Sequence, residues 1–308
     1  MSAELMGILP VLPTPFAADG GIDEAAMKAL VQFAVEAGVS GVVFPGFASE
    51  VENLTSAERS TLLKIVAENA LGHVDVVAGA SARTPADVIQ HGKAAAALGI
   101  QFLMIQTPKE IGSDLAPVQA FLSEVAEALP QAQIILQNAP APRGSDLSPQ
   151  TIINLASAIP QIAYVKEETL PAGPAISHIL ENRPASLKGV IGGGGARYIL
   201  DEYARGACAA MPAIEIADLH VALDRAWREG KRQEARDIYI KTLPLLTLQA
   251  VYRMRLTKFT MMQRGILHNA EVRAPTPEVD AVAKADILAN LAELGIVRSA
   301  STAQDAAE

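Results

Sequence analysis

The sequence predicts a (β/α)8 barrel, a TIM barrel, with a C-terminal helical extension, on the strength of three observations. Eight short apolar runs recur at intervals of roughly 20 to 35 residues, amphipathic stretches with helix-capping residues lie between them, and the runs are apolar nearly throughout rather than alternating. Strands read this way when both faces are buried, with helices covering the outer face and the other strands the inner one, which favours a closed barrel over an open doubly wound sheet. Half of the 308 residues are hydrophobic and only 4% are aromatic, so there is ample material for an aliphatic core and a disordered scaffold is excluded.

Each element has its own signal. The first run, Ile8 to Leu12, leads into Pro13-Thr14, after which Ile22-Asp23-Glu24 opens a helix that stops at Gly38. The second strand is Gly41 to Phe44, and the capping box Thr55-Ser56-Ala57-Glu58 precedes a helix carrying Leu62, Leu63, Ile65 and Val66. Val74 to Ala78 forms the third strand, with Thr84-Pro85 placing proline at the first position of the next helix. Phe102 to Ile105 and Ile134 to Gln137 are the fourth and fifth strands, followed by helices opened at Asp114 and at Ser148-Pro149. The sixth, seventh and eighth are Ile162 to Val165, Lys188 to Ile191 and Cys208 to Met211. These units end near Gly230, giving a barrel domain over 1–230. A helical region over 231–297 follows, running from Gln233 to Val251, from Met254 to Leu267, and from a cap at Thr276-Pro277-Glu278 to Gly295. Residues 298–308, rich in Ser, Ala and acid, are expected to fray.

Charge narrows the partners. Twenty-five basic against 34 acidic residues give a net charge of −9, and no Lys/Arg run is long enough to track a phosphate backbone, which argues against nucleic acid. The single cysteine, Cys208, sits in an apolar stretch and reads as a small core residue of a reducing compartment. The start Met1-Ser2-Ala3-Glu4-Leu5-Met6 has no basic leader region, and glycine or glutamine interrupts the longest apolar stretches, so a cytoplasmic protein without a membrane partner is expected. The five histidines are scattered and no His-Glu-x-x-His occurs, so neither a metal nor another cofactor is expected.

In a barrel of this kind the reacting groups stand at the C-terminal ends of the strands. Those positions here are Thr14, Pro45 to Glu50, Ser81, Thr107 to Lys109, Gln137 with Asn138, Lys166 to Thr169, Gly192 to Gly195, and Pro212. Among ten lysines, Lys166 directly continues an apolar strand and by period-two alternation shares the inner face with Ile162 and Tyr164. A lysine facing a barrel lumen loses hydration, which disfavours the ammonium and frees an amine able to attack a ketone and form a Schiff base. Position alone leaves a second reading open, in which the lysine is paired with Glu167 or Glu168 at the rim. Gly192 to Gly195 reads either as a phosphate cradle or as a tight turn in close approach to ligand, and without a following Lys-Ser or Lys-Thr the turn is favoured.

These residues resemble the dihydrodipicolinate synthase and N-acetylneuraminate lyase family of Schiff-base barrels over nearly the whole chain. The resemblance is carried by Pro13-Thr14-Pro15-Phe16, Gly46-Phe47-Ala48-Ser49-Glu50 with Leu54 to Arg59, Asn138-Ala139-Pro140, Tyr164-Val165-Lys166-Glu167 and Gly206 to Ala210. It implies that Lys166 is the Schiff-base residue, that the protein is a homotetramer, and that the substrate is a small 2-keto acid. Three departures stand out. Gln137 occupies the place of the family's fifth-strand tyrosine, Phe47-Ala48 that of the two threonines that help hold the substrate carboxylate, and Lys109-Glu110 that of an aromatic pair. The stretches Gln137-Asn138-Ala139-Pro140, Ser49-Glu50 and Tyr164-Val165-Lys166 are similar to those of the 2-keto-3-deoxy-sugar-acid dehydratases, typified by L-2-keto-3-deoxyarabonate dehydratase. The resemblance therefore implies dehydration of a 2-keto-3-deoxy sugar acid, with a pyruvate-releasing aldolase or a dihydrodipicolinate synthase-like enzyme as the alternative, and a catalytically silent keto-acid-binding homologue as the second. The expected substrate-binding residues are Gly46, Phe47, Ala48 and Ser49, in a loop from Gly46 to Glu50 that holds the substrate carboxylate chiefly through backbone amides with the Ser49 hydroxyl added, together with Gln137, Asn138 and Gly192. The apolar Leu243, Leu245, Leu246, Leu248, Val251 and Met254 exceed what a small appendix buries on itself and add a second argument for a homo-oligomer.

Overall fold

The computed structural model describes residues 4–297. Eight parallel strands run β1 (Gly7–Ile8), β2 (Gly41–Phe44), β3 (Asp75–Gly79), β4 (Phe102–Ile105), β5 (Gln133–Asn138), β6 (Ile162–Glu167), β7 (Gly189–Gly192) and β8 (Ala209–Ala210). From β2 to β8 each strand pairs with its sequence neighbours, and β1 pairs with β8. Closure between β1 and β2 is made by irregular chain rather than by a full ladder. Val11 bridges Val43, the Leu12 amide donates to Val43 O (3.0 Å) and the Val43 amide donates to Pro10 O (2.9 Å). Pro10 and Pro13 carry no N–H, and of the run expected from Ile8 to Leu12 only Ile8 lies in the regular strand Gly7–Ile8. The result is a (β/α)8 barrel with additional C-terminal helices.

Alternation along the strands separates two cores. Val42, Phe44, Leu103, Ile105, Ile134 and Leu136 face outward onto a helical layer that includes Leu30, Leu62 and Leu122. Val43, Val77, Phe102, Met104, Ile135, Ile191 and Met211 fill the lumen. On β6 the alternation breaks. The ladder to β5 passes from Ile134↔Ile162 directly to Ile135↔Tyr164, leaving Ala163 as an extra residue, a β-bulge. Ala163 and Tyr164 consequently both belong to the lumen cluster, while Ile162 belongs to the outer one, which corrects the expectation that Ile162 shares a face with Lys166.

The helices between strands are α1 (Glu24–Glu36), α2 (Ser56–Ala70), α3 (Pro85–Ala97), α4 (Leu115–Ala128), α5 (Pro149–Ala158), α6 (Ala172–Asn182) and α7 (Ile199–Ala204), with α8 (Ala217–Arg228) after β8. Asp23, Thr55, Thr84 and Ser148 cap their helices by accepting from the amides of Ala26, Glu58, Asp87 and Thr151. A long helix, α9 (Arg232–Gln263), is interrupted at Arg253, where φ is 50° and ψ −124°. The last helix, α10 (Ala281–Glu293), is capped by Asp280 and not by Thr276 to Glu278, because the Asp280 carboxylate reaches the Ala283 amide at 2.8 Å.

Leu245 and Leu246 are buried with Ile287 and Leu291 of α10, and Met254 is buried as well. Half of the six residues that argued for an oligomer are thus satisfied within one chain, and of the six Val251 stands out as half-exposed. The expected fraying of 298–308 lies outside the described residues. No described helix is long and apolar enough to cross a membrane.

Candidate active site

The C-terminal ends of β5, β6 and β7 bring Gln137, Lys166, Glu168 and the Gly194 amide together. Lys166 projects inward from β6 with 4% of its surface exposed, and its Nζ lies 3.5 Å from Glu168 Oε1. The other Glu168 oxygen accepts from Gln137 Nε2 at 2.6 Å and lies 3.5 Å from Arg143 Nη2, and the Gly194 amide donates to the same carboxylate. Burial pushes the Glu168 carboxyl up, but Lys166, Arg143 and the two hydrogen-bond donors outweigh it, leaving the group below its ordinary value. Glu168 is therefore an ionised carboxylate within reach of the lysine amine. Of the two sequence readings of Lys166, the pairing with Glu168 is present, and it leaves the amine facing the lumen.

Glu167 points the other way, as strand alternation requires. Its carboxylate accepts from Asn138 Nδ2 (2.9 Å) and from the amide and hydroxyl of Thr169 (2.7 and 2.5 Å). Asn138 also exchanges hydrogen bonds with the backbone of Leu147, donating to its oxygen and accepting from its amide. The Asn138 amide thus ties the fifth strand to the following loop, and its hydrogen-bonding groups are engaged there, away from Lys166.

The loop after β2 begins with a cis Phe44-Pro45 peptide and forms two successive 3-10 turns, Phe47–Ser49 and Val51–Asn53. Gly46 is required there by close approach, since a Cβ would lie 2.8 Å from Val11. The Ser49 hydroxyl donates to Leu12 O (2.5 Å) and accepts from the Gly46 amide (2.9 Å), and the side chain is fully buried. Its one proton is held by Leu12, so it has none to give to a ligand carboxylate. The Ser49 side chain shapes the turn instead, with Thr14 Oγ1 donating to Ser49 O at 2.6 Å. The first turn leaves the amides of Phe47 and Ala48 without an intrahelical acceptor, which keeps backbone donors at the position of the absent threonines. Phe47 is half-exposed, with the guanidinium carbon of Arg143 5.1 Å and that of Arg253 5.6 Å from its ring centre.

Glu50 closes the loop in a left-handed conformation (φ 58°) and is buried. Its carboxylate accepts from Lys258 Nζ at 2.6 Å and from the amides of Arg273 and Ala274 at 2.7 and 2.6 Å. This cross-link from the barrel mouth to α9 and the segment after it was not legible in the sequence.

Behind β7, Gly192 and Gly193 are glycines for want of room. A Cβ on Gly192 would lie 2.0 Å from Glu202 Oε2, and one on Gly193 would lie 2.4 Å from Glu168 Cγ. The Gly193 amide donates to Glu202 as the Gly194 amide does to Glu168, so these donors are occupied by protein carboxyls and are not left for phosphate. Burial drives the Glu202 carboxyl up to about 8, aided by the negative charge of Glu168 and only partly offset by Gly193, and its Oε2 has no hydrogen-bond partner. A carboxyl raised in this way keeps a proton that the unfolded chain releases above its ordinary value. Stability should therefore fall as pH rises from the unfolded value of 4.5 to about 8, by at most about 1.4 kcal/mol per pH unit. Urea titrations across that range should show the decline in wild type and a flatter profile in Glu202→Gln; parallel profiles would show that Glu202 does not titrate there.

Lys109 lies exposed on a separate 3-10 turn, away from this grouping. Among the described residues no cluster of three or more His, Cys, Asp and Glu side chains could hold a metal ion.

Comparison with known proteins agrees with this architecture. The model of the dihydrodipicolinate synthetase family matches residues 4–294. The chain is 30% identical over 287 residues to L-2-keto-3-deoxyarabonate dehydratase of Azospirillum brasilense, covering 92% of each protein. It is 36% identical over 165 residues to 4-hydroxy-tetrahydrodipicolinate synthase of Stenotrophomonas maltophilia (strain K279a), covering 53% of this chain and 54% of the relative. In fold it is similar to the crystal structure of dihydrodipicolinate synthase from Rhodopseudomonas palustris, with a TM-score of 0.87 at 23% identity, covering 94% of this chain and 97% of that one.

Proposed function

We propose, since the chain belongs to the dihydrodipicolinate synthetase family, that it is a Schiff-base lyase dehydrating a 2-keto-3-deoxy sugar acid, with Lys166 as the nucleophile. The observation that carries this reading is the nearly inaccessible amine of Lys166 in the barrel mouth, 3.5 Å from an ionised carboxylate.

The amine attacks C2 of the keto acid, water leaves, and the resulting iminium acidifies the C3 protons. Glu168 is positioned to accept one of them, giving an enamine, and then to return that proton to the departing C4 hydroxyl, so that water leaves and the conjugated iminium remains. Hydrolysis frees Lys166 and a 3,4-unsaturated 2-keto acid, which loses its C5 hydrogen and gains a proton at C3 by tautomerisation to give the dioxo or semialdehyde product. One carboxylate suffices for the cycle, because the proton it takes is the proton it gives back. Retro-aldol cleavage would instead need a base on the C4 hydroxyl, the role the family resemblance implies for the tyrosine replaced by Gln137. Gln137 cannot take a proton; its amide holds Glu168 in place at 2.6 Å. That substitution and the likeness to the arabonate dehydratase support dehydration over cleavage.

The substrate carboxylate is assigned to the free amides of Phe47 and Ala48, which form a small anion-binding concavity without threonine side chains. Ser49 contributes the shape of that turn. A homotetramer and a cytoplasmic location belong to the same proposal through the family resemblance.

The test is borohydride trapping with pyruvate followed by peptide mass mapping, together with product analysis on a panel of 2-keto-3-deoxy acids. An adduct on Lys166 and a dioxo or semialdehyde product are expected. An adduct on Lys109, or none, would overturn the nucleophile assignment. Stoichiometric release of pyruvate would replace dehydration by aldol cleavage.

A further inference from the structure

Positive charge at the barrel mouth exceeds what a simple keto acid needs. Lys166, Arg143, Arg197 and Arg253 come from four different segments of the chain, and the carboxylate among them in the ionised state is Glu168. Arg143 lies 3.5 Å from Glu168. Arg197 is tied to α9, donating to Gln249 Oε1 (3.1 Å) and Leu246 O (3.3 Å). Arg253 differs from both. It is exposed, its guanidinium lies over Phe47, and among the described residues it has neither an ion pair nor a side-chain hydrogen bond.

Its backbone adds an independent observation. With φ 50° and ψ −124° inside a long helix, Arg253 holds a conformation that glycine adopts freely and other residues at a cost. The interruption turns the side chain at this point toward Phe47, the residue that starts the proposed carboxylate-binding turn. A strained, unpaired arginine beside the substrate-binding loop is arranged to meet a negative charge from outside the protein.

Resting on the Schiff-base reading above, we propose that the substrate carries a second anionic group at the end away from its keto carbon, and that Arg253 binds it. The chemical class is then a 2-keto-3-deoxy diacid or an ω-phosphorylated 2-keto-3-deoxy acid rather than one ending in a neutral hydroxymethyl group. The first carboxylate meets the amides of Phe47 and Ala48, the keto carbon meets Lys166, and the far anion meets the guanidinium over Phe47. Arg253 acts on specificity and takes no part in bond making.

The experiment compares kcat/KM for three substrates of equal carbon chain length, ending in a carboxylate, a phosphate ester or a hydroxymethyl group, in wild type, Arg253→Gln and Arg253→Gly. Wild type should prefer one of the two anionic substrates by tenfold or more over the neutral one, and which of the two identifies the anion. In both variants that preference should collapse through KM, while the thermal midpoint of Arg253→Gly rises because glycine relieves the backbone. Absence of an anion preference in wild type, or its persistence in Arg253→Gln, would overturn the proposal. Pyruvate trapping on wild-type Lys166, run in parallel, reports on the Schiff-base reading separately, so that failure of one is distinguished from failure of the other.

Discussion

Lys166→Ala is expected to lower kcat/KM by about 10^4-fold or more, the scale set by loss of a covalent nucleophile, and to eliminate borohydride-dependent mass gain with pyruvate. The barrel should survive the change. Glu168 keeps Gln137, Arg143 and the Gly194 amide as partners, so removal of the lysine side chain does not strand a buried carboxylate. Lys166→Arg separates charge from nucleophilicity: the guanidinium preserves a cation beside Glu168 but cannot form the imine, so this variant should be as inactive as the alanine one. Activity in Lys166→Arg within tenfold of wild type would mean that the lysine acts as a charge, and the covalent mechanism would have to be abandoned. Circular dichroism and a urea midpoint on each variant establish that loss of turnover is not loss of fold.

Lys258→Met is expected to destabilise the protein by about 3 to 5 kcal/mol, the usual cost of removing one member of a buried ion pair. The side chains of Lys258 and Glu50 are 1% and 0% exposed, and the Lys258 amine also donates to Glu271 O at 2.6 Å and lies 4.2 Å from the Phe16 ring centre. Burial lowers the Lys258 ammonium to about 8 against the pull of Glu50, so the amine is still protonated at neutral pH. Methionine retains much of the aliphatic volume but leaves the buried Glu50 side chain with two backbone amides and without the amine that pairs with it directly. The double variant Glu50→Gln with Lys258→Met should lose less stability than the sum of the two single changes, because the stranded charge is gone. Additive losses measured by urea denaturation would show that the two groups are energetically independent despite their contact.

The barrel was legible because strands buried on both faces are written as uninterrupted apolar runs, and the caps at Asp23, Thr55, Thr84 and Ser148 mark where helices begin. Lys166 was legible for the same reason, as a charge continuing such a run. The bulge at Ala163 was not, since a small apolar residue is compatible with either face and the extra residue shows only when β5 is laid beside β6. Nor was the role of Ser49, because a hydroxyl in a loop looks the same whether it waits for a ligand or donates to the Leu12 carbonyl. Glu168 entered the sequence reading only as a pairing partner; its distinction from Glu167 follows from strand alternation past the bulge. Arg143 and Lys258 lie in segments with no motif of their own, and what makes them part of the site is proximity created by folding.

The bond between Glu50 and Lys258 spans 208 residues, and this separation imposes an order on biosynthesis. At about 5 to 20 residues per second, the ribosome makes the loop after β2 roughly 10 to 40 s before the lysine that anchors it. The Arg273 and Ala274 amides that complete the Glu50 carboxylate follow later still. Through that interval the nascent chain carries the first barrel strands with Glu50 still unmatched, and the segment assigned to the substrate carboxylate reaches its final shape only as the last helices emerge. The catalytic mouth is therefore among the final parts of the molecule to be set, and a chain released early would leave its Glu50 unpaired.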